Sequence, residues 1–294
     1  MAWRRALNAH SLPDGRLSLE SGPIRLLIGI EGQPDAVRAA QNAAGQRLLG
    51  LLAALCEERD LLRLPLGDAM PRLRHPVARR MAEACWPHRL DHITPMAAVA
   101  GAVAEHVLAG IVEQGVRVAH VNNGGDIALH LAPGAFLHVG LCADLADGRP
   151  DGAALLRHGD GIGGVATSGW PGRSFSRGIA DAVTVLATRA ADADAAATII
   201  ANAVDADHPG ITRRPARSLD PDSDLGDLPV TVAVRALPLM LVQLALARGA
   251  RVAERLLGRG VIHGALLRLQ GESLAVGDMN VMGLPLASGD AGSP

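Results

Sequence analysis

The stretch VRVAHVNNGGDIALHL, residues 116–131, decides the fold class. Val116 to Val121 alternates in the period of two that marks a strand. Asn122-Asn123-Gly124-Gly125 has the composition of a tight hairpin turn, and Ile127 to Leu131 reads as the returning strand. Immediately upstream, Thr94-Pro95 opens a helix: threonine is a good N-cap and proline fits the first helical position. That helix is crowded with small residues (Ala97, Ala98, Ala100, Gly101, Ala102, Ala104), so it can lie close against a neighbouring backbone, and Gly115 supplies its stop. A helix that feeds an antiparallel hairpin points to an α+β class with mixed and antiparallel sheets and packed helices.

The rest of the chain repeats this irregular mixture. Ser18 to Ile30 reads as paired strands about Gly22-Pro23, and Pro34 begins a helix that runs to about Arg59. Pro65 to Arg74 reads as a loop and Pro76 to Ala84 as a short helix. Strands are expected at Phe136–Leu141, Gly161–Thr167, Asp181–Ala187, Pro229–Arg235 and Val261–Leu269, with helices at about Ala190–Val204 and Leu239–Leu257. Asp205 to Leu228, rich in Asp, Pro and Arg, reads as a surface loop within one domain rather than as a boundary. The expectation is a single domain over residues 1–294, with a core of about 15–285 and a loose tail over 286–294.

Composition narrows the function classes. The chain has 294 residues, half of them hydrophobic, and a formal net charge of −2. It has no tyrosine, two phenylalanines and three tryptophans, so neither a basic face nor base-stacking rings argue for nucleic acid as a partner. Cys56, Cys85 and Cys142 are few and widely spaced, which suits buried small hydrophobes in a reducing cytoplasm better than disulfides or a zinc knuckle. Asn8, His10, Asp14 and Arg16 interrupt any apolar leader after Arg4-Arg5, so no signal peptide is expected. Met96 to Val112 is apolar, but Glu105 and His106 fall in its middle, and it is short for a membrane span; a buried core helix is expected and no membrane partner. Small-residue helices and strand edges are compatible with a homo-oligomer.

Three short segments carry the chemistry. In Gly124-Gly125-Asp126, paired glycines let a backbone approach a ligand, and Asp126 can hold a ligand hydroxyl or ring nitrogen; a hairpin that serves only its own turn explains the same residues. In Ala166-Thr167-Ser168-Gly169, hydroxyls and free backbone N–H groups suit phosphate oxygens, although no P-loop spacing is present. A strand ending in a polar turn is the alternative. On a helix over Ala193–Thr198, Asp194 and Thr198 point the same way one turn apart, with Asn202 a further turn on. A carboxylate and a hydroxyl are hard oxygen ligands, suited to Mg²⁺ or Ca²⁺, and magnesium typically takes one or two carboxylates and bridges to phosphates. The intervening alanines leave room for a ligand, whereas the plain reading makes Asp194 a helix N-terminal charge. His88 and His92 stand four apart without a third ligand nearby. Asp220-x-Asp222-x-Asp224 lacks the glycine and glutamate of a calcium loop and reads as a solvated loop, or as a lid.

The ordered set Gly124-Gly125-Asp126, Ala166-Thr167-Ser168-Gly169 and Ala193–Thr198 resembles the ApbE family of FAD-dependent flavin transferases. Ile93–Ala102, Ser176–Asp181 and Asp222–Asp227 look more specifically like an offshoot of that superfamily, uncharacterised protein family number 0280. The resemblance covers roughly residues 15–285. It implies an ApbE-like, T-fold-related fold and a metal held by Asp194, Thr198 and the carbonyl of Ala166. It further implies Gly124, Gly125, Asp126, Thr167, Ser168 and Gly169 around a phosphate-bearing ligand such as FAD or FMN, with Mg²⁺. The flavin transferases carry a His-Ile-Ile-Asp-Pro segment shortly after the second motif. Here Arg177-Gly178-Ile179-Ala180-Asp181 stands instead, without a histidine, so the pocket is implied and flavin transfer to protein is not. Asp194 and Asp181 are then the catalytic candidates in a metal-dependent transferase or hydrolase acting on a nucleotide or flavin; a surface aspartate at a strand end explains Asp181 equally well. The alternative function is a non-catalytic flavin- or nucleotide-binding protein.

Overall fold

The computed structural model describes residues 3–142 and 150–277. The chain begins with a helical turn α1 (Trp3–Ala6) and strands β1 (Asn8–Ser11), β2 (Leu17–Ser21) and β3 (Ile24–Glu31). Helices α2 (Pro34–Leu48), α3 (Leu51–Cys56), α4 (Arg59–Leu62), α5 (Pro76–Cys85) and α6 (Val99–Val112) follow. Next come β4 (Val118–Asn123), β5 (Asp126–Leu131), β6 (Phe136–Cys142), β7 (Pro150–Arg157), β8 (Gly164–Ser168), β9 (Ala182–Ala187) and α7 (Ala190–Ala203). The described chain ends with β10 (Ile211–Pro215), β11 (Pro229–Val234), α8 (Leu239–Gly258), β12 (Gly264–Leu269) and β13 (Glu272–Gly277).

The architecture is α+β, as the hairpin after a helix predicts. One nine-stranded sheet runs β1-β2-β3-β4-β5-β8-β9-β12-β13, and every neighbouring pair is antiparallel. Its inner strands β9 (AVTVLA) and β12 (GALLRL) are buried at every position, which is why they read as continuous apolar runs rather than alternating ones. Val183, Val185 and Leu267 pack with Ile200 of α7 and with Val242 and Leu246 of α8. Each such aliphatic side chain contributes on the order of 2 kcal/mol of burial. Leu129, Leu131, Val165, Leu186 and Leu266 form a second layer with Val139, Leu141 and Leu156 of the two-stranded β6–β7 ribbon.

The hairpin at 122–126 is tighter than the sequence suggests. Asn122 and Asn123 belong to β4, and the turn itself is Gly124-Gly125, with φ of +73° and +117°. Asn123 and Asp126 are direct cross-strand partners. Both turn positions need φ > 0, which is the reason for two glycines here.

Several other expectations are corrected. The single helix from Pro34 to Arg59 is three pieces, because Gly50 takes a left-handed φ of +77° and redirects the chain. The helix at Thr94-Pro95 opens with a 3₁₀ turn over Pro95–Ala98, and the Thr94 side chain is not its cap. The segment 205–228 is not wholly irregular: β10 lies in it and pairs with β11 as a separate ribbon. Strands β7 and β13 have no expected counterpart. Cys56 is exposed, not buried, whereas Cys85 is buried as expected. The side chain of Cys142 and the tail over 286–294 lie outside the described residues. Pro95–Val112 is apolar and long enough to cross a membrane by composition, and 56% of it is buried inside the protein. Val103, Ala104, Val107 and Ile111 are among its core side chains.

Candidate functional site

Close backbone approach assembles the site. A Cβ on Gly101 of α6 would lie 2.5 Å from the carbonyl oxygen of Ala190, and one on Gly164 of β8 would lie 2.3 Å from the Ala190 nitrogen. The first turn of α7 therefore sits directly against both α6 and β8. Ala193, Ala195, Ala196 and Ala197 are buried in that packing. The alanines between Asp194 and Thr198 thus bring protein elements together; they are not open room for a ligand. Glu105 of α6 accepts the Ala191 N–H at 2.7 Å and pairs with Arg80, which also pairs with Asp192 at 2.7 Å. These contacts fix the start of α7, where the unpaired N–H groups need an acceptor.

Asp126 at the start of β5, Ser168 at the end of β8, and Asp194 and Thr198 on α7 all line one cavity of about 340 Å³. The three sequence motifs meet there. Asn202, a turn beyond Thr198, lines it too. Asp194 is oriented from outside its own helix: its Oδ2 accepts the Gly101 N–H at 3.0 Å, so it caps the N-terminal turn of α6 rather than serving α7. Asn123 ties the hairpin to the same turn by donating to the Ala100 carbonyl at 3.2 Å.

The two carboxyls are electrostatically unusual. Burial raises the Asp126 pKa to about 7, against the lowering influence of a hydrogen bond from the Thr167 main chain. Asp194 is raised well above its usual value, first by burial and then by the neighbouring Asp126. Hydrogen bonds from the Gly101 and Ala100 main chain only partly offset this. Two acids facing one cavity without a full counter-charge take up either a proton or a cation.

The other candidate residues lie elsewhere. Gly124 lines an adjoining apolar cavity of about 370 Å³ with Ile24, Leu55, Met81 and Val103. That cavity shares Met96, Val99, Ala100, Asp126, Arg173 and Ser174 with the first. Gly125 serves the turn, donating its N–H to Asn122 Oδ1 at 2.8 Å. Ala166 is fully buried within β8 opposite Val185 and does not line the cavity. Thr167 spends its hydroxyl on Thr184, 2.9 Å away. Gly169 packs on the Asp181 carbonyl, 2.3 Å from a would-be Cβ.

Asp181 also stands apart from the cavity. Its carboxylate accepts the Gln270 N–H in the β12–β13 turn, where Gln270 has a φ of +48°. A non-glycine left-handed residue needs such support. The placement favours the structural reading of Asp181 over the replacement acid.

Of the upper wall, sequence reasoning offered only the Asp220-x-Asp222-x-Asp224 loop, as a lid, and missed the rest. His92, Thr94, Arg173 and Arg177 line the cavity, as do Asp220, Asp222 and Asp224 of the loop that joins β10 to β11. Asp224 accepts the Thr94 hydroxyl, and Arg63 donates to the Asp222 carbonyl. The lid reading of that loop fits its position. His92 is kept less basic than usual by burial and by Arg177. His88, four residues before it, is buried at 2% exposure and is not its partner in a metal set. Among the described residues, no group of three or more His, Cys, Asp or Glu side chains stands close enough to hold a metal on its own. The donor set at Asp126, Asp194, Thr198 and Ser168 is all hard oxygen with two carboxylates, the kind that magnesium uses when a ligand completes its shell.

Curated relatives carry the name UPF0280 protein. One from Methanothrix thermoacetophila is 39% identical over 144 residues, covering 49% of this chain and 56% of the relative. Another from Methanothermobacter thermautotrophicus is 39% identical over 126 residues, covering 43% and 47%. This chain thus spans about half the length of the curated relatives it matches. Among solved structures, the apo form of the flavinyl transferase ApbE from Pseudomonas stutzeri aligns over 92% of this chain and 93% of its own, at 13% identity and a TM-score of 0.43. The family model described as AbpE bacteria matches residues 9–279, and this chain belongs to that ApbE-like family.

Proposed function

We propose that this protein binds a phosphate-bearing small molecule together with a divalent cation, magnesium by the chemistry of the donors, at the cavity floor. The observation that carries the reading is the meeting of Asp126 and Asp194, from separate elements, in one cavity with the hydroxyls of Ser168 and Thr198. Asp194 and Thr198 hold the cation, with Asp126 facing them. The Ala166 carbonyl lies one layer behind the lining and is the weakest member of the expected ligand set. A bound magnesium ion polarises phosphoryl oxygens and neutralises charge that develops on them. Ser168 offers a hydroxyl to a phosphate oxygen, and Arg173 on the wall shared with the apolar cavity offers a guanidinium. The apolar cavity takes the uncharged body of the ligand, and a flavin nucleotide, FAD or FMN, is the first candidate to try. His92 is the basic group at the wall that stays largely neutral near pH 7, and so accepts a proton from a bound hydroxyl or water. The protein is then a transferase or hydrolase of this ligand class.

A specific observation also supports a binding protein without catalysis: the segment 177–181 holds no histidine, and its Asp181 is committed to the β12–β13 turn. One experiment addresses both readings. Calorimetry with pyrophosphate, FMN and FAD, each with and without magnesium, is run on the wild type and on Asp194→Asn, which keeps an acceptor for the Gly101 N–H. Magnesium-dependent binding is expected in the wild type and a loss of about 100-fold in the variant, about 2.7 kcal/mol. Absence of magnesium-dependent binding for all three ligands removes the proposal. Turnover of FAD to FMN then separates enzyme from binder.

A further inference from the structure

The cavity shares the lining residues His92, Arg177 and Asn202 with a second one of about 620 Å³. The charge of the two is opposite. Two arginines face five aspartates around the first, whereas Arg177, Arg213 and Arg255 stand against Asp91 and Asp205 around the second. Arg213 is already paired with Asp205 and lies on the inner wall. Arg255 is exposed on α8, and its guanidinium has no hydrogen bond or ion pair among the described residues.

Arg177 on the shared wall is the most informative of the three. Its N–H donates to Asn202 Oδ1 at 2.9 Å, and its carbonyl accepts from Arg213 Nε at 3.4 Å and from the Thr231 hydroxyl at 3.5 Å. The following Gly178 is pressed onto the end of α7, where a Cβ would lie 2.0 Å from the Ala201 carbonyl oxygen. The backbone of Arg177 is therefore locked in place. Its guanidinium, half-buried, has no carboxylate partner among the described residues. A half-buried guanidinium carries a desolvation cost that an anion would offset, and its planar fork matches two phosphoryl or carboxylate oxygens at once.

We infer that this basic cavity is a second anion subsite, and that it takes a phosphate-class group belonging to the same ligand whose first phosphate sits with the cation over Asp126 and Asp194. The inference rests on the proposed cation and phosphate site and narrows its ligand: the ligand carries a second acidic group apart from the phosphate at the cation, which neither FMN nor the single pyrophosphate of FAD supplies, and the link between the two groups passes Arg177. The acidic cavity repels a bare anion and needs a cation to hold one. The basic cavity needs none, and this difference lets each site be read alone.

The test is calorimetry with inorganic phosphate at constant ionic strength, in EDTA, on the wild type, Arg177→Gln, Arg255→Gln and Asp194→Asn. Arg255 is exposed on α8, so its variant keeps the fold, which an unchanged melting temperature without ligand confirms. Metal-free phosphate binding is expected in the wild type, weakened at least tenfold in both arginine variants and unchanged or tighter in Asp194→Asn. No metal-free binding overturns the inference, as does binding that neither arginine variant alters or that Asp194→Asn abolishes. Succinate, run in parallel, is expected to bind more weakly than phosphate; tighter succinate binding lost in the arginine variants replaces the phosphate class with a carboxylate. The proposed function is read separately, with magnesium and pyrophosphate, where Arg255→Gln is expected to match the wild type.

Discussion

The floor and the upper wall of the cavity are made in different ways. The floor residues Asp126, Ser168, Asp194 and Thr198 sit on strands and a helix whose backbones touch through Gly101 and Gly164. The upper wall, Asp220 to Leu225, belongs to a loop held by side-chain bonds: Thr94 to Asp224 and Arg63 to Asp222. Backbone contacts leave no slack, so the floor keeps the two carboxyls at a fixed separation, as a small, geometry-demanding cation requires. Side-chain latches break one at a time, so the wall can open locally, which under the proposed function would admit a ligand to the floor.

The contrast is broken most strongly at Gly101. A methyl group there lies 2.5 Å from the Ala190 carbonyl oxygen, and neither helix backbone can yield without moving the other. Gly101→Ala is expected to cost about 1–3 kcal/mol, in the range for overpacking, and to weaken magnesium-dependent pyrophosphate binding because the shifted α6 backbone carries the residue-101 N–H away from the Asp194 carboxylate. The midpoint of urea unfolding measures the first effect and calorimetry the second. Gly67→Ala, in the loop before α5 with nothing within 4 Å of its would-be Cβ, is the matched control and stays within about 0.5 kcal/mol of the wild type. Equal effects at the two glycines would refute the account of the floor.

A smaller effect is expected at the wall. Thr94 is 2% exposed, and its hydroxyl serves Asp224. Thr94→Val keeps the shape and removes the bond, at a cost of about 1 kcal/mol. Because the latch is local, the loss appears as faster amide exchange and faster proteolysis over residues 219–228, while α6 and α7 keep their protection. Uniform loss of protection across α7 would show that the loop is part of the core and not a lid.

The same contrast explains what the sequence discloses. The floor is legible because its causes are local: a glycine pair forces the turn before Asp126, and helical spacing puts Asp194, Thr198 and Asn202 on one face. That the motifs converge is visible only through small residues, whose reading was ambiguous: alanines that look like space for a ligand are in fact the contact between elements. The wall is legible only as a loop that could serve as a lid; its latch is hidden because Thr94 and Asp224 meet across a long stretch of chain, and because Thr94 looks like a helix cap while its hydroxyl goes elsewhere. Asp181 misleads for a related reason. Its position after the second motif suggests chemistry, but the demand it meets, a left-handed Gln270 with an N–H to satisfy, arises far along the chain.

The smallest net effect, and the sharpest in sign, is on stability against pH without metal. Asp126 titrates at about 7 in the folded chain against an ordinary value of 3.8, so between these values the folded state holds a proton that the unfolded state has lost. Folding then binds protons, and stability falls as pH rises through that window. Asp194 acts in the same direction, since burial and Asp126 raise it too. His88 works the other way. Burial lowers it from 6.5 to about 4, so the unfolded state takes the extra proton, and stability falls as pH drops from 6.5 towards 4. His92, His106, His120 and His130, also lowered first by burial, join His88 in opposing the carboxyls below pH 6.5, whereas between 6.5 and 7 the carboxyl slope dominates and the wild type declines. Asp126→Asn removes the Asp126 slope and relieves Asp194 of one of its two main causes, with burial remaining, so its urea midpoint should decline less steeply between pH 6.5 and 7 than that of the wild type. Magnesium binding to the wild type should displace the shared protons, and its affinity should climb as pH passes 7. A variant profile that declines between 6.5 and 7 as steeply as the wild type would mean that the two carboxyls do not share a field, and that the floor is not the place where a cation is held.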